Sequence, residues 1–260
     1  MKTTISVVIP CYNEEESLPH LRPKLAALGQ LLGDRYELEF VFVDDGSTDG
    51  TRAVLAETPG WGLPGAVQLH VHEANAGLGA ALQTGFRAVR GELVVPFDCD
   101  GTLDPALLPP MLEAMDDQTD IVSGSDLHPD GACLGVPWHR LMLHKGVSEM
   151  YRWLFWSRLH SFSLILRVYR RRVFDRIDVQ SRGFLSCTEI LMKAVAAGFV
   201  VKEYPVILTV RTHGRSKIRI ARTIRDHLGF MVSLRLTLWA RRLRQLLGRR
   251  DVGKLPASLG

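Results

Sequence analysis

The chain has 260 residues, of which 46% are hydrophobic and 23% are charged, and its formal net charge is +4. This composition excludes disordered, collagen-like and low-complexity proteins, and the length is sufficient for one large α/β domain with a buried core. The charge is unevenly distributed, because the residues from Arg211 onward carry a net +11 and the preceding residues a net −7. The basic segment predicts contact with lipid headgroups, phosphates or nucleic acid, and a solvated basic helix is the alternative.

The first 125 residues alternate short β-branched runs with helical patterns. Strands are predicted over 5–10, 38–43, 67–71, 93–97 and 121–123, and helices over 17–32, 51–57, 77–89 and 105–115. This alternation predicts a parallel sheet with right-handed crossovers, whose ligands bind beyond the carboxyl ends of the strands. Acidic residues gather at those ends, namely Glu14, Asp44, Asp45, Asp98 and Asp100.

The second half of the chain is richer in Leu, Met, Trp and basic residues, first over 138–159 and again over 218–247. In the later segment apolar residues recur at helical spacing, and most arginines fall elsewhere around the helix. This pattern predicts a cationic amphipathic helix or helix pair in a membrane interface, and ordinary core packing beneath a basic surface is the alternative. The residues from Gly253 onward are expected to form a loose tail.

Cysteine usage and hydropathy give expectations about location. The cysteines at positions 11, 99, 133 and 187 form no CxxC pair and no zinc-ligand spacing, so we expect reduced thiols in a cytosolic setting. No signal peptide is expected at the start of the sequence. No uncharged apolar run reaches the roughly 18–20 residues of a spanning helix, so we do not expect an integral membrane protein.

The sharpest chemical feature is Asp98-Cys99-Asp100, which follows a predicted strand. Two aspartates two positions apart at a strand end can converge on one site as the chain leaves the sheet. Mg²⁺ and Mn²⁺ prefer carboxylates together with phosphate oxygens, so the pair can hold a metal against a diphosphate. The alternative is a pair of solvated loop acids.

Asp44-Asp45-Gly46-Ser47 ends the second predicted strand. A carboxylate here can accept a hydrogen bond from a nucleobase ring N–H or from ribose hydroxyls. The alternative is that Asp45 or Ser47 caps the helix that follows.

Several motifs together resemble a known family. Residues 8–15 and 43–51 resemble the opening of the inverting family-two glycosyltransferases of GT-A fold. Residues 75–81, 98–100 and 211–217 resemble the branch of dolichol-phosphate mannose synthases and polyprenyl-phosphate glycosyltransferases. The resemblance implies an α/β, Rossmann-like GT-A fold with a mostly parallel sheet flanked by helices. It also implies a catalytic domain over 1–217. The residue pattern predicts that a basic amphipathic extension over 218–252, membrane-interfacial in position, and a flexible tail over 253–260 follow it.

The resemblance implies roles for the nucleotide-sugar site. Pro10, Tyr12 and Glu14 would line the nucleotide pocket, and Asp44 would meet the base or the ribose. The donor would be a GDP- or UDP-linked sugar.

The resemblance also implies a metal and a closing loop. Asp98 and Asp100 would bind Mg²⁺ or Mn²⁺ and, through the metal, the donor diphosphate. Arg211, Ser216 and Lys217 would belong to a loop that closes over the phosphates. The metal and these cations would stabilise the negative charge on the departing nucleoside diphosphate.

The acceptor side is assigned by the same resemblance. Arg140 and Lys145 would bind the acceptor phosphate, and Arg167 and Tyr169 match a family run. A lipid phosphate needs no strong base, whereas a hydroxyl acceptor would need one, for which Glu189 is the candidate. The alternative is that Glu189 lies on a helix surface or interacts with the dipole at a helix N-terminus.

Three positions depart from the family pattern. Thr102 stands where a further metal ligand is possible, and Asp126 stands where an arginine is usual. Ser161 stands where relatives often have an aspartate. These departures concern the sugar and the acceptor more than the nucleotide.

The sequence thus predicts a metal-dependent inverting glycosyltransferase that uses a polyprenyl phosphate acceptor at the cytoplasmic face of the membrane. One alternative is transfer to a hydroxyl of a glycan or lipid. Another is a non-catalytic, membrane-associated protein that binds nucleotide sugars. A nucleic-acid partner is not expected, because the basic segment contains no recognition motif.

Overall fold

The computed structural model describes residues 2–211 and 220–251. The strands are β1 (Thr3–Cys11), β2 (Tyr36–Asp44), β3 (Gly65–Val71), β4 (Leu93–Pro96), β5 (Ile121–Ser125), β6 (Ala132–Leu134), β7 (Arg167–Arg170), β8 (Val201–Pro205) and β9 (Ile207–Thr209). The α-helices are α1 (Leu18–Leu32), α2 (Thr51–Ala56), α3 (Leu78–Ala88), α4 (Leu108–Glu113), α5 (Trp138–Phe155), α6 (Leu185–Ala196) and α7 (Ile220–Asp251).

The central sheet has seven strands in the order β3-β2-β1-β4-β7-β5-β8. Strand β7 runs antiparallel to both of its neighbours, and the other paired strands run parallel. The predicted mostly parallel sheet is therefore confirmed. Strands β6 and β9 form a separate two-stranded sheet beside it.

The inner strands are apolar on both faces, as expected where helices cover both sides of a parallel sheet. One core layer lies between the sheet and helices α1 and α4, and it contains Ile9, Phe40 and Phe42. The other layer contains Val8 and Val41 and packs against α3 and α6. The predicted helix over 105–115 is shorter in the structure, because a 3-10 turn precedes α4.

Helix α7 belongs to a third core cluster. Met231 and Leu234 are buried against Tyr151 of α5 and Leu191 of α6, and the imidazole Nδ1 of His227 lies 3.0 Å from the Tyr151 hydroxyl. The predicted amphipathic segment is thus a single helix with one packed face. No helix within the described parts of the chain combines the length and apolarity needed to cross a membrane. The predicted tail over 253–260 lies outside those parts.

Candidate active site

A cleft of about 1130 Å³ opens at the carboxyl ends of β1 and β4. From β1 the chain adds β2 and β3 on one side of the sheet and then β4 on the other side. Such a switch point in a parallel sheet leaves a crevice where ligands bind. The lining includes Pro10, Tyr12, Glu14, Asp45, Asp98, Asp100, Thr102, Arg140, Gly183, Phe184, Arg211, Arg222 and Asp226.

Two turns form the side of the cleft at the ends of β1 and β2 and hold each other in place. Asn13, which has a left-handed φ of 51°, follows β1. Its side-chain oxygen accepts a hydrogen bond from the Thr48 N–H at 2.8 Å, and its own N–H donates to Ser47 Oγ at 3.0 Å. The Glu14 N–H donates to Thr51 Oγ1 at 2.6 Å. The residues after β1 are therefore fixed by the turn after β2.

The two neighbouring aspartates at the end of β2 point to different places, since successive side chains of a strand alternate. Asp44 is fully buried, accepts the Ser47 N–H at 2.9 Å, and pairs with Arg52 at 3.1 Å. It is not among the cleft residues, whereas Asp45 is. The motif resemblance implies that Asp44 meets the base or ribose, and Asp45 is expected only among the acids at the strand ends or as a cap. Strand alternation is the signal that separates the two residues.

The Asp45 carboxylate is held by three donors. It accepts the N–H groups of Ala76 at 3.0 Å and of Gly77 at 2.8 Å, and it lies 2.7 Å from His72 Nδ1. The other imidazole nitrogen of His72 lies 2.9 Å from the Thr84 hydroxyl. This network fixes Asp45 before any ligand binds. Sequence reasoning missed His72, because no local pattern links it to β2.

One guanidinium at the ends of β1 and β4 contacts two carboxylates and lies near a third, that of Asp98. Arg211 Nη2 forms an ion pair with Glu14, and Arg211 Nε lies 3.3 Å from Asp100 Oδ2. Burial, together with the neighbouring Asp100 carboxylate, raises the pKa of Asp98 to about 7. Burial opposes the charged form of Arg211, but Glu14 and Asp100 outweigh it and raise its pKa. The site therefore has an excess of negative charge that favours a cation.

Asp98 and Asp100 fit a divalent cation that keeps water and phosphate oxygens among its ligands, which is the usual coordination of Mg²⁺. Within residues 2–211 and 220–251, no cluster of three or more His, Cys, Asp or Glu side chains could hold a metal by itself. Thr102 donates to Asp100 Oδ1 through its hydroxyl at 2.8 Å and through its N–H at 3.0 Å. Thr102 thus orients a carboxylate at the position where a further ligand was considered.

The predicted acceptor residues separate in the structure. Arg140, near the start of α5, lines the cleft, whereas Lys145 is not among the lining residues. Arg222 and Asp226 of α7 also line the cleft, so the first turns of the predicted extension contribute to the site. Sequence reasoning missed both, because only the fold brings α7 back to the cleft. Ser216 and Lys217 lie outside the described residues.

Two of the family departures, Asp126 and Ser161, contact each other. The Asp126 carboxylate accepts a hydrogen bond from Ser161 Oγ at 2.8 Å and lies 2.9 Å from His144 Nε2. Burial would raise the pKa of Asp126, but the contacts with His144, Cys133 and Ser161 outweigh it and lower that pKa. The changes at positions 126 and 161 therefore form one satisfied buried network beneath α5.

Glu189 lies on α6 and lines a smaller adjoining cavity of about 550 Å³, and it is not among the residues of the main cleft. Its carboxylate accepts the N–H groups of Gln180 at 3.1 Å and Ser181 at 2.7 Å. Lys193 Nζ lies 2.6 Å from the same carboxylate.

Arg167, which matches a family run, is buried in the structure. It donates hydrogen bonds to two main-chain carbonyls, those of Phe162 and Cys187. These contacts stabilise the fold beside the site.

Residues 6–178 match the family model described as glycosyl transferase family 2. The chain belongs to this glycosyltransferase family. The enzyme class predicted from the motifs is therefore confirmed.

Two relatives indicate the branch of the family. The polyprenol monophosphomannose synthase of Mycolicibacterium smegmatis is 35% identical over 218 residues, which are 82% of this chain and 80% of the relative. The undecaprenyl-phosphate 4-deoxy-4-formamido-L-arabinose transferase of Sodalis glossinidius is 31% identical over 227 residues, and the match covers 85% of this chain but 64% of that longer protein. Both relatives are polyprenyl-phosphate glycosyltransferases, as the motifs predicted.

Solved structures confirm the predicted GT-A fold. The glucosyl-3-phosphoglycerate synthase of Mycobacterium tuberculosis, in complex with Mn²⁺, UDP-glucose and phosphoglyceric acid, superposes with a TM-score of 0.65. The match covers 90% of this chain and 80% of that one at 18% identity. At this identity the similarity concerns the fold.

Proposed function

We propose that this glycosyltransferase moves a sugar from a nucleoside diphosphate to a polyprenyl phosphate, with inversion at the anomeric carbon. The observation that carries this proposal is the cleft at the switch point, in which Asp45, Asp98, Asp100 and Arg211 converge. The names of both relatives point to a polyprenyl phosphate acceptor. A phosphate acceptor also agrees with the basic residues Arg140 and Arg222 at the cleft.

The donor nucleotide binds on the β1 and β2 side in this proposal. The fixed Asp45 carboxylate accepts a hydrogen bond from the base or ribose, and Pro10 and Tyr12 provide the adjacent wall. Asp44 is assigned to the support of the turn through Ser47 and Arg52. A carboxylate that accepts a hydrogen bond at this position is compatible with either GDP or UDP.

Asp98 and Asp100 would hold Mg²⁺ or Mn²⁺ at the donor diphosphate. When bound, the metal stabilises the negative charge that develops on the leaving diphosphate oxygen. Arg211 lies at the same carboxylates, from which its guanidinium can reach the diphosphate and add a second positive charge. Ser216 and Lys217 remain predicted partners of the phosphates.

The transfer itself is a single in-line displacement. An anionic oxygen of the acceptor phosphate forms a bond to the anomeric carbon while the bond from that carbon to the diphosphate oxygen breaks. No proton has to be removed from the acceptor, because its phosphate oxygen is already anionic near neutral pH. Arg140 is proposed to orient the acceptor phosphate at the cleft, with Lys145 as a more distant cation on the same helix.

Exposed apolar residues on α5 and α7 support a peripheral position on a membrane, for which we propose the cytoplasmic face. Trp138 at the start of α5 is 77% exposed, and Trp153 and Trp156 at its other end are 82% and 76% exposed. An apolar row on α7 consists of Val232, Leu236, Trp239 and Leu243, all at least 41% exposed. Helix α7 approaches the end of α5 here, because the guanidinium of Arg235 on α7 lies 4.6 Å from the centre of the Trp156 ring. Exposed tryptophans beside arginines are typical of surfaces that lie among lipid headgroups.

A nucleotide-competition screen tests the donor side of the proposal. We expect GDP or UDP to bind the wild-type protein in the presence of Mn²⁺, and the Asp45→Asn variant to bind about tenfold more weakly, because the amide NH₂ cannot accept a hydrogen bond. The Asp130→Asn variant, altered at an exposed carboxylate, serves as the control. Absence of nucleotide binding by the wild-type protein would contradict the proposed donor.

A further inference from the structure

Glu189 is linked to the nucleotide side of the cleft through the segment over 180–184, which we call the 180–184 loop. Both carboxylate oxygens of Glu189 accept main-chain N–H groups of this loop, those of Gln180 and Ser181. The Glu189 side chain is 3% exposed. The loop is therefore fastened to α6 at its first two residues.

The same loop packs against the start of α3 without space for a side chain. The Gly79 N–H donates to the Arg182 carbonyl at 2.7 Å. A Cβ atom at Gly79 would lie 2.1 Å from the Ser181 carbonyl oxygen, and one at Gly77 would lie 2.4 Å from the Arg182 carbonyl oxygen. The position of the loop therefore sets the position of the chain over 77–79.

That chain segment holds the nucleotide side of the cleft. The Gly77 N–H donates to Asp45 at 2.8 Å, and Gly183 and Phe184 of the loop themselves line the cleft. A displacement of the loop would thus move both a wall of the cleft and a donor to Asp45.

We propose that Glu189 is a positioning residue for donor binding and does not act as a general base. This inference rests on the proposed function. The carboxylate lines the adjoining cavity and not the main cleft, and its oxygens are used by Gln180, Ser181 and Lys193. A general base needs a free lone pair within hydrogen-bond reach of the acceptor proton.

The acidity of Glu189 agrees with this role. Burial would raise the pKa of its carboxyl, but the hydrogen bonds from Lys193, Ser181 and Gln180 outweigh burial and lower that pKa. A carboxylate of lowered pKa is a weaker base, and therefore a poorer acceptor of a substrate proton near neutral pH.

The test compares Glu189→Gln with wild type by two measurements. Binding of GDP and UDP with Mn²⁺ is measured by calorimetry, and transfer is measured with saturating donor across a pH series. We expect nucleotide binding to weaken about tenfold, because a neutral amide cannot accept both N–H groups equally well. We expect kcat at saturating donor to change less than about threefold, with an unchanged pH profile.

Lys193→Met provides a second variant that keeps the carboxylate on the loop. We expect a smaller weakening of nucleotide binding and again an unchanged pH profile of kcat. Lys202→Met, which removes an exposed lysine paired with Asp116, is the matched control and should leave both measurements unchanged. If Glu189→Gln does not fold, Lys193→Met tests the proposal alone. Were Glu189 a general base, loss of the lysine would raise its pKa and shift the pH profile of kcat, and such a shift would contradict the proposal.

Two results would overturn the inference while leaving the proposed function intact. One is unchanged nucleotide binding in Glu189→Gln with a kcat lowered about 100-fold or more, which is the pattern of a lost general base. The other is unchanged binding and unchanged kcat. Failure of the wild-type protein to bind any nucleotide would contradict the proposed function and this inference with it.

Discussion

At the scale of single residues, charge is concentrated where β1 and β4 end. Glu14, Asp98 and Asp100 share one guanidinium, that of Arg211. A buried group of like charges is costly unless a cation or protons neutralise it. Two predictions follow from the way this cost is met.

Asp98→Asn should abolish sugar transfer, lowering the rate at least about 100-fold, because one metal ligand and one negative charge are lost. The protein should remain folded, since the change relieves repulsion between buried carboxylates. Transfer assays and thermal unfolding measure the two effects. Unaltered turnover would dismiss the metal-binding role of Asp98.

Mn²⁺ binding should strengthen as the pH rises through about 7, the pKa of Asp98. Below this pH the carboxyl is protonated and must lose its proton to bind the metal. The affinity for Mn²⁺ should therefore decrease by up to about tenfold for each unit that the pH falls. Titration followed by the electron paramagnetic resonance of free Mn²⁺ measures this dependence. The Asp98→Asn variant should bind Mn²⁺ weakly with little pH dependence, whereas an equally steep dependence would assign the proton to another group.

At the scale of elements, α7 serves two environments. Its packed face buries Met231, Leu234 and His227 against α5 and α6, while the apolar row faces outward. A helix with a second apolar stripe left exposed indicates a partner surface. The packed face and the exposed row can be tested separately.

The exposed row of α7 and the exposed Trp153 of α5 should bind lipid. We expect the wild-type protein to sediment with vesicles of phosphatidylcholine and phosphatidylglycerol, and the double variant Trp153→Ala/Trp239→Ala to bind them several-fold less, because two interfacial anchors are lost. Vesicles of phosphatidylcholine without the anionic lipid should retain less wild-type protein. Leu31→Ala, at an exposed leucine of α1, is the control. Equal vesicle binding by the double variant would contradict the membrane position of these tryptophans.

The packed face should make stability depend on pH. Burial lowers the pKa of His227, so the imidazole stays neutral in the folded protein at pH values where the unfolded chain binds a proton. This contribution to the free energy of unfolding is complete above the unfolded pKa of about 6.5 and is lost as the pH falls toward the folded pKa. His227→Gln should therefore lose less stability between neutral and mildly acidic pH in urea titrations. An identical loss would assign the pH dependence elsewhere.

At the scale of the whole molecule, the sequence predicted the elements best where hydrophobic patterning is local. The strands at Ile9, Phe42 and Val95 are buried on both faces, which their apolar runs indicate directly. The acids at the strand ends were predicted to converge because parallel strands end at one edge of a sheet. The motifs added the family and the GT-A fold.

The remaining features of the site depend on contacts that sequence spacing does not encode. Asp45 faces the cleft through strand alternation, and His72, the residue after β3, supports it. Arg222 reaches the cleft because α7 packs back onto α5 and α6. The partners of Glu189 are main-chain N–H groups, whose positions follow from a loop conformation and not from a motif.

The central claim is that the cleft transfers a sugar to the phosphate of a polyprenyl lipid. Its most direct test is mass spectrometry of lipids, with NMR of the product for its anomeric configuration, after incubation with GDP- or UDP-linked sugars, Mn²⁺ or Mg²⁺, and a polyprenyl phosphate mixed with the corresponding polyprenol. The account predicts a glycosylated polyprenyl phosphate of inverted anomeric configuration, absent with Asp98→Asn. Glycosylation of the free alcohol in place of the phosphate, or a product with retained configuration, would contradict it.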